Sequence, residues 1–519
     1  MRSFITAIFI FFGVALIYQL PAQELIISDP WLILEAQAND PLYTTYTAAM
    51  DRARLYGDKG YKMDYWSTEK PLNYSSDKSG SMYCIWKVNE VVVDRIPEYY
   101  TPPVVDASFS DMVLCHYEPW EGLDVQECFF VYSSKIALVD MHISNINDIP
   151  MHIELYPIIE FDKDSLCVDS FSPEDNAIVA RHYESPKRLI SNLYSGGNYP
   201  TDLRDVFTGN IEMYSFGAYN GPAEEFYNII KTDFYADEHD DRLNMNDSNC
   251  ARYIALHMKF ELPPGESVNI RYIRGMEALH KSYGNDLYNE IDEARDIKLQ
   301  PFLDENILLY KSVPRYDEMS HDEKIMYVGA FNLARGCMLP PAGKTSHNFY
   351  SFSREPLWGW GHGHQVLHES LSMLAYAFLD AGSAQESQRV YMEQQREDGL
   401  IAYRHGPRGR GEYPHYSRIH GDTMATTSAP FYNWINYEIY EVSQDQEFLA
   451  EAYVSGSRYI QWLIKNRDAD GDGLLEWGPY GIIENVRDWY NAVFQVSAER
   501  YLDVDKEDIS DELECLDLS

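Results

Sequence analysis

The spacing of apolar residues changes once along this 519-residue chain, and that change limits the fold to two kinds of layer joined in series. From about residue 30 to 275, apolar side chains recur at every second position. Ile254, Leu256, Met258, Phe260 and Leu262 alternate with polar or small residues, Pro263-Pro264-Gly265-Glu266 turns the chain, and Val268, Ile270 and Tyr272 resume the alternation. A period of two lines one face of a strand, so the stretch reads as a hairpin. Ile136, Leu138, Met141 and Ile143, the polar break at 145–148, and Ile153 with Leu155 read as a second antiparallel pair. Strands that each bury one face are satisfied sheet on sheet, which predicts an N-terminal antiparallel β-sandwich over residues 23–280.

Around residues 284–311 the composition turns to Glu, Asp and Leu, with Pro301 interrupting a helical pattern, and a connector is placed at 281–315. Beyond it the period is 3.6. Leu367, Leu371, Leu374 and Phe378 fall at i, i+4, i+7 and i+11 on one helical face, with Gly382 as the stop. Ser383-Ala384-Gln385-Glu386 has the spacing of a capping box and opens the next helix, which ends near Asp398-Gly399. Further helices fit 322–337, 428–442, 446–466 and 489–502, so residues 316–519 read as a succession of helical hairpins.

The chain begins Met1-Arg2-Ser3, followed by an apolar run from Phe4 to Ile17 and Leu20-Pro21-Ala22. That run is short for a membrane span, which favours a signal peptide over residues 1–22 against the alternative of an uncleaved N-terminal anchor and predicts a secreted or periplasmic protein with no membrane contact after cleavage. A net charge of −40 repels phosphate backbones and anionic lipid, so nucleic-acid and membrane-surface partners are excluded and neutral ligands favoured. The 41 tyrosines and 10 tryptophans suit the C–H faces and hydroxyl rims of sugars. Seven cysteines lie scattered without a C-x-x-C pair, which indicates neither a zinc ribbon nor a dense disulfide framework and leaves room for one or two bridges.

Chemistry concentrates in loops of the helical half. Asp468, Asp470 and Asp472 stand at alternate positions with Gly473 sixth and Glu476 ninth, the spacing with which a loop wraps oxygens around calcium. The twelfth position is Pro479, so the loop is not a complete EF-hand, and the alternative is a solvated turn closed by Asx hydrogen bonds. Trp477 follows, and then Glu484-Asn485-Val486-Arg487-Asp488-Trp489 sets two carboxylates four apart beside a guanidinium and an indole. Such a setting can hold two carboxyls at different pKa values, as glycosidic cleavage requires; a surface acid pair tempered by Arg487 is the alternative. Trp358, Trp360, His362 and His364 form a tryptophan–histidine loop running into a helix, suited to lining a sugar pocket, with a packed interhelical turn as the alternative. His364 and His368 also have metal-ligand spacing, without the glutamate order of a zinc protease. Gln395–Ile401, carrying Arg396 and Asp398, and His420–Pro430 are further polar helix-to-helix loops.

The ordered set of Trp358–His364, QREDGLIAYRHGP (395–407), TTSAPFYNWINYEIYE (426–441), RDADGDGLLEWG (467–478) and ENVRDW (484–489) resembles the catalytic domain of glycoside hydrolase family 63 and related six-hairpin glycosidases, including mannosylglycerate hydrolases. The resemblance covers roughly residues 320–519. It implies an (α/α)6 toroid, inverting hydrolysis of an α-glycosidic bond in an oligosaccharide or polysaccharide, and no organic cofactor. It puts the Glu-x-x-x-Asp motif on Glu484 and Asp488, with Asp488 as general acid. Calcium would be held by Asp468, Asp470 and Asp472, by Leu474 through its carbonyl, and by Glu476. Trp358, Trp360, His362, His364, Arg396, Asp398, Trp477, Arg487 and Trp489 would contact substrate, Trp360 at the −1 subsite. Two departures stand out. Gly361 and His362 follow Trp360 where many relatives have aspartate, and about six helices are counted where a toroid has twelve. The resemblance therefore implies that about half of the toroid is present, with the catalytic base beyond residue 519. The other readings left open are a carbohydrate-binding protein without the base and a polysaccharide lyase on a similar toroid.

Overall fold

The computed structural model describes residues 24–53, 60–76, 80–161, 166–172, 177–183, 202–210, 215–233, 250–278, 286–351, 364–402, 404–407, 409–410, 431–466 and 471–473. The N-terminal leader read from the sequence lies outside them. Among the described residues no helix is long and apolar enough to cross a membrane.

The strands, in chain order, are β1 (Thr45–Tyr46), β2 (Tyr61–Asp64), β3 (Asn73–Ser76), β4 (Ser81–Val88), β5 (Val91–Val93), β6 (Thr101–Ser108), β7 (Met112–Trp120), β8 (Leu123–Val131) and β9 (Ile136–Asn145). They continue with β10 (Met151–Glu160), β11 (Leu166–Ser172), β12 (Ala177–Tyr183), β13 (Asp202–Gly209), β14 (Ser215–Tyr219), β15 (Cys250–Ala251), β16 (Tyr253–Leu262) and β17 (Ser267–Ala278). An eight-stranded sheet runs β1-β2-β3-β4-β10-β16-β14, with β5 on β4. A nine-stranded sheet runs β15-β11-β12-β13-β17-β9-β8-β7-β6. All the pairings are antiparallel, and residues of both sheets share one apolar core that includes Met82, Trp86, Phe129, Leu138, Ile153 and Ile270.

Two expected hairpins prove to be crossovers between sheets. β16 pairs with β10 and β14, whereas β17 pairs with β9 and β13. Likewise β9 and β10 lie in different sheets. Alternation reports which residues face the core, and it is the same whether the next strand lies alongside or opposite. The two corners are pinned together by Asn145, fully buried, whose Nδ2 donates to Ile149 O at 2.8 Å and Leu262 O at 2.9 Å, while its backbone carbonyl accepts from Gly265 N at 2.8 Å.

Eight α-helices stand among the described residues: α1 (Ala223–Asp233), α2 (Asp286–Asp296), α3 (Gln300–Leu309), α4 (His321–Gly336), α5 (Val366–Leu379), α6 (Ala381–Glu393), α7 (Tyr432–Ser443) and α8 (Gln446–Asn466). α1 breaks the β half; Phe226 and Ile230 seat it on Tyr83, Ile85, Tyr156, Ile158 and Tyr253, the outer face of the eight-stranded sheet. Pro301 sits in the first turn of α3, where its missing N–H costs nothing, so it starts a helix rather than interrupting one. α4 opens with a capping box between Ser320 and Glu323. The expected stop at Gly382 is instead inside α6: Asp380 is the N-cap and accepts from Ser383 N at 3.0 Å. Met373, Tyr376, Ala377 and Leu379 are the buried residues of the described part of α5, and Leu371 is exposed, so the buried face is offset from the Leu371–Leu374–Phe378 stripe. The cause is crowding on two sides, for α5 packs against both α6 and α7.

Helices α4 to α8 each touch the next, and α5 and α6 also touch the next but one. Their core is continuous with the sandwich core, and polar contacts lock the junction. Asp111 accepts from Arg52 Nη2 at 2.8 Å and from Asn306 Nδ2 of α3 at 2.9 Å, and Asn332 Nδ2 of α4 donates to Ser108 O at 2.8 Å.

Glu127 on β8 is a buried acid of a different kind. Its carboxyl oxygens lie 2.7 Å from Tyr74 OH and 2.5 Å from Tyr117 OH, tying β3 of one sheet to β7 and β8 of the other. Burial pushes the carboxyl from 4.5 up to about 7, with the two tyrosine hydrogen bonds opposing. Folded protein keeps this proton up to about pH 7, whereas the unfolded chain releases it near 4.5. The group's stabilisation is therefore present below pH 4.5 and lost as pH rises to 7, a change of about 3 kcal/mol. Glu127→Gln should remove that part of the pH slope in denaturant titrations; an unchanged slope would show that Glu127 is ionised when folded.

Candidate active site

The helical half brings the polar turn at 395–401 onto α8. Arg396 grips Asp398 through two bonds, Nε to Oδ1 at 2.7 Å and Nη2 to Oδ2 at 2.6 Å. Trp462 Nε1 donates to Oδ2 at 3.0 Å and Leu400 N to Oδ1 at 3.3 Å. The Arg396 bond is the main cause holding the Asp398 carboxyl down at about 2, with burial opposing. Asp398 is therefore ionised through the neutral range: it can accept hydrogen bonds but has no proton to donate.

Arg458 Nη2 donates to the carbonyls of Arg396 and Glu397 at 3.0 and 3.1 Å, and Gln395 Nε2 donates to Gly399 O at 2.8 Å and Ser455 O at 3.0 Å. Gly399 has φ +106°, and a Cβ there would lie 2.3 Å from Arg458 O, so close approach and backbone conformation both demand glycine. Beneath the turn lies a satellite core of Tyr391, Leu400, Ile401, Tyr432, Tyr459, Trp462 and Leu463.

The exit of the tryptophan loop meets the same neighbourhood. Strands β18 (Met338–Leu339) and β19 (Phe349–Tyr350) form one small ladder, and β20 (His364–Gln365) and β21 (Arg404–His405) another, with His364 opposite His405 and Gln365 opposite Arg404. His405 is buried, sets Nε2 3.1 Å from Ala402 O and meets Tyr391 edge to face. Gln394 clamps Gly406 with Nε2 to O at 3.0 Å and accepts from Gly406 N at 3.1 Å. The structure thus joins the backbone of His364 to the segment just after Arg396 and Asp398.

Asp472 is exposed between Gly471 and Gly473, whose φ angles of +75° and +88° give a sharp turn. Among the described residues no group of three or more His, Cys, Asp or Glu side chains is placed to hold a metal. Trp358, Trp360, His362, Asp468, Asp470, Leu474, Glu476, Trp477, Glu484, Arg487, Asp488 and Trp489 lie outside the described residues. Sequence reasoning named Gln395 only as the start of the polar loop and missed Ser455, Arg458 and Trp462, which position the turn with it; these three sit on one helix at spacings that any amphipathic helix shows.

No family model matches the sequence. Among solved structures, the chain is similar to a protein assigned as a kojibiose phosphorylase, from the human microbiome (TM-score 0.39, 8% identity, 85% of this chain and 71% of that one). It is also similar to a family GH92 alpha-mannosidase from Bacteroides thetaiotaomicron (TM-score 0.33, 10% identity, 84% of this chain and 65% of that one). A third is a polysaccharide lyase (TM-score 0.26, 9% identity, 77% of this chain and 68% of that one). The distant structural neighbours are carbohydrate-active proteins by name: a phosphorylase, a mannosidase and a lyase.

Proposed function

We propose that the chain is an exported glycoside hydrolase that cleaves an α-glycosidic bond in an oligosaccharide or glycan with inversion. The observation that carries this reading is the order of the five motifs along the sequence, together with the pairing of His364 and Gln365 to His405 and Arg404 in the segment after Arg396 and Asp398. In this reading the helices belong to an (α/α)6 toroid, and Trp358, Trp360, His362, His364, Trp477, Arg487 and Trp489 contact the sugar. Asp488 protonates the leaving oxygen, and Glu484 shares its neighbourhood. Asp398, held ionised by Arg396, accepts from sugar hydroxyls and does not serve as the acid. Because the resemblance puts the catalytic base beyond residue 519, the reading is tested on the chain carried past Ser519: incubated with α-linked glucosides and mannosides it should release reducing sugar, and no release across the panel counts against the reading.

Calcium belongs to the same proposal. Asp468, Asp470, Asp472, Glu476 and the Leu474 carbonyl would hold it, and the glycine-flanked turn at Asp472 fits such a loop. With calcium a hundredfold above its Kd, chelation should cost about 3 kcal/mol of stability. An unfolding curve indifferent to chelator would leave the loop as a hydrated turn.

A further inference from the structure

The ladder between β11 and β15 sets two cysteines against each other. Its register pairs Leu166 with Ala251 and Cys167 with Cys250. Residues directly opposed in an antiparallel ladder have Cα atoms about 4.5 or 5.5 Å apart, depending on the pair type. Both values fall within the roughly 4.4–6.8 Å that a disulfide spans. β15 is only two residues long and forms the edge of the nine-stranded sheet, where backbone pairing alone gives a strand little hold.

The other cysteines fit a bridge less well. Cys84, Cys115, Cys128 and Cys337 are buried and unbridged. The thiols of Cys84, Cys115 and Cys128 donate to nearby backbone carbonyls, and burial pushes each well above the usual thiol range, which keeps them from the thiolate form that exchanges. Cys515 lies outside the described residues.

We infer that Cys167 and Cys250 form a cross-strand disulfide that clips the edge strand to the sheet and closes the chain between them into a covalent loop. The inference rests on the export expected from the N-terminal segment, since such bonds persist in oxidising compartments, and not on the sugar chemistry. Two S–H bonds break and one S–S bond forms; the two protons and two electrons pass to a disulfide oxidant, such as oxidised glutathione, which is reduced to two thiols.

The test is a thiol count on the full chain made with export to an oxidising compartment, then denatured and labelled with a maleimide polymer. Of seven cysteines, five should label without reductant and seven with it. Cys167→Ser and Cys250→Ser should each label six times under both conditions, and proteolysis of unreduced protein should yield one linked peptide pair containing both positions. Protein made in a reducing cytosol should label seven times and fall to five after folded protein is treated with oxidised glutathione, which separates failed export from failed pairing. Seven labels after that treatment, or a linked pair that includes any other cysteine, would overturn the assignment.

Discussion

Replacing Asp205 by alanine is expected to destabilise the protein by about 3–5 kcal/mol, because it strands a guanidinium in a dry core. Arg274 and Asp205 are both fully buried and meet through Nη2 to Oδ2 at 2.6 Å and Nε to both carboxylate oxygens at 3.0 and 3.2 Å. Arg274 also reaches Gly80 O at 3.4 Å and lies over the Phe161 ring, so a side chain from β17 of one sheet is held by the other sheet as well. Removing both charges, in Asp205→Ala/Arg274→Met, should recover most of the loss, since apolar replacement of a buried pair is often neutral. Urea titrations of the two single variants and the double variant give the coupling. Independent, additive losses would show that the guanidinium and the carboxylate do not depend on each other.

Asp488→Asn should lower turnover on substrates with poor leaving groups by roughly 10²–10⁴-fold, the usual contribution of a positioned general acid. Asparagine keeps the shape and removes the transferable proton. The loss should shrink on activated aryl glycosides, whose leaving oxygen departs without protonation, and the alkaline limb of the pH–rate profile should disappear. Equal losses on both substrate types would make Asp488 a binding residue, and an undiminished rate would remove it from the mechanism.

The residues show what a sequence can and cannot specify here. The alternation at 136–143 and 254–272 marked true strands, yet the links after Asn145 and Leu262 carry the chain from one sheet to the other, and nothing in a period of two distinguishes that from a hairpin. The helix expected at 446–466 forms over Gln446–Asn466 because its apolar spacing is strong and uninterrupted. Gly382 misled because Asp380, a better cap, stood two residues earlier. At the candidate site the charged loop composition points to Arg396 and Asp398, whose mutual grip is local; the bonds from Arg458 and Trp462 come from a helix more than fifty residues further along, which no local pattern encodes. The remaining proposed site residues, apart from the backbone of His364 and the turn at Asp472, lie outside the described residues and rest on motif order.

Proton NMR of the first-formed product distinguishes inverting hydrolysis from retention and from elimination. On an α-linked glucoside or mannoside cleaved by the protein, an inverting hydrolase delivers the β-anomer before mutarotation equalises the two. Early β-anomer is expected, and its formation should be lost in Asp488→Asn. Early α-anomer, or an unsaturated sugar from elimination, would contradict inverting hydrolysis.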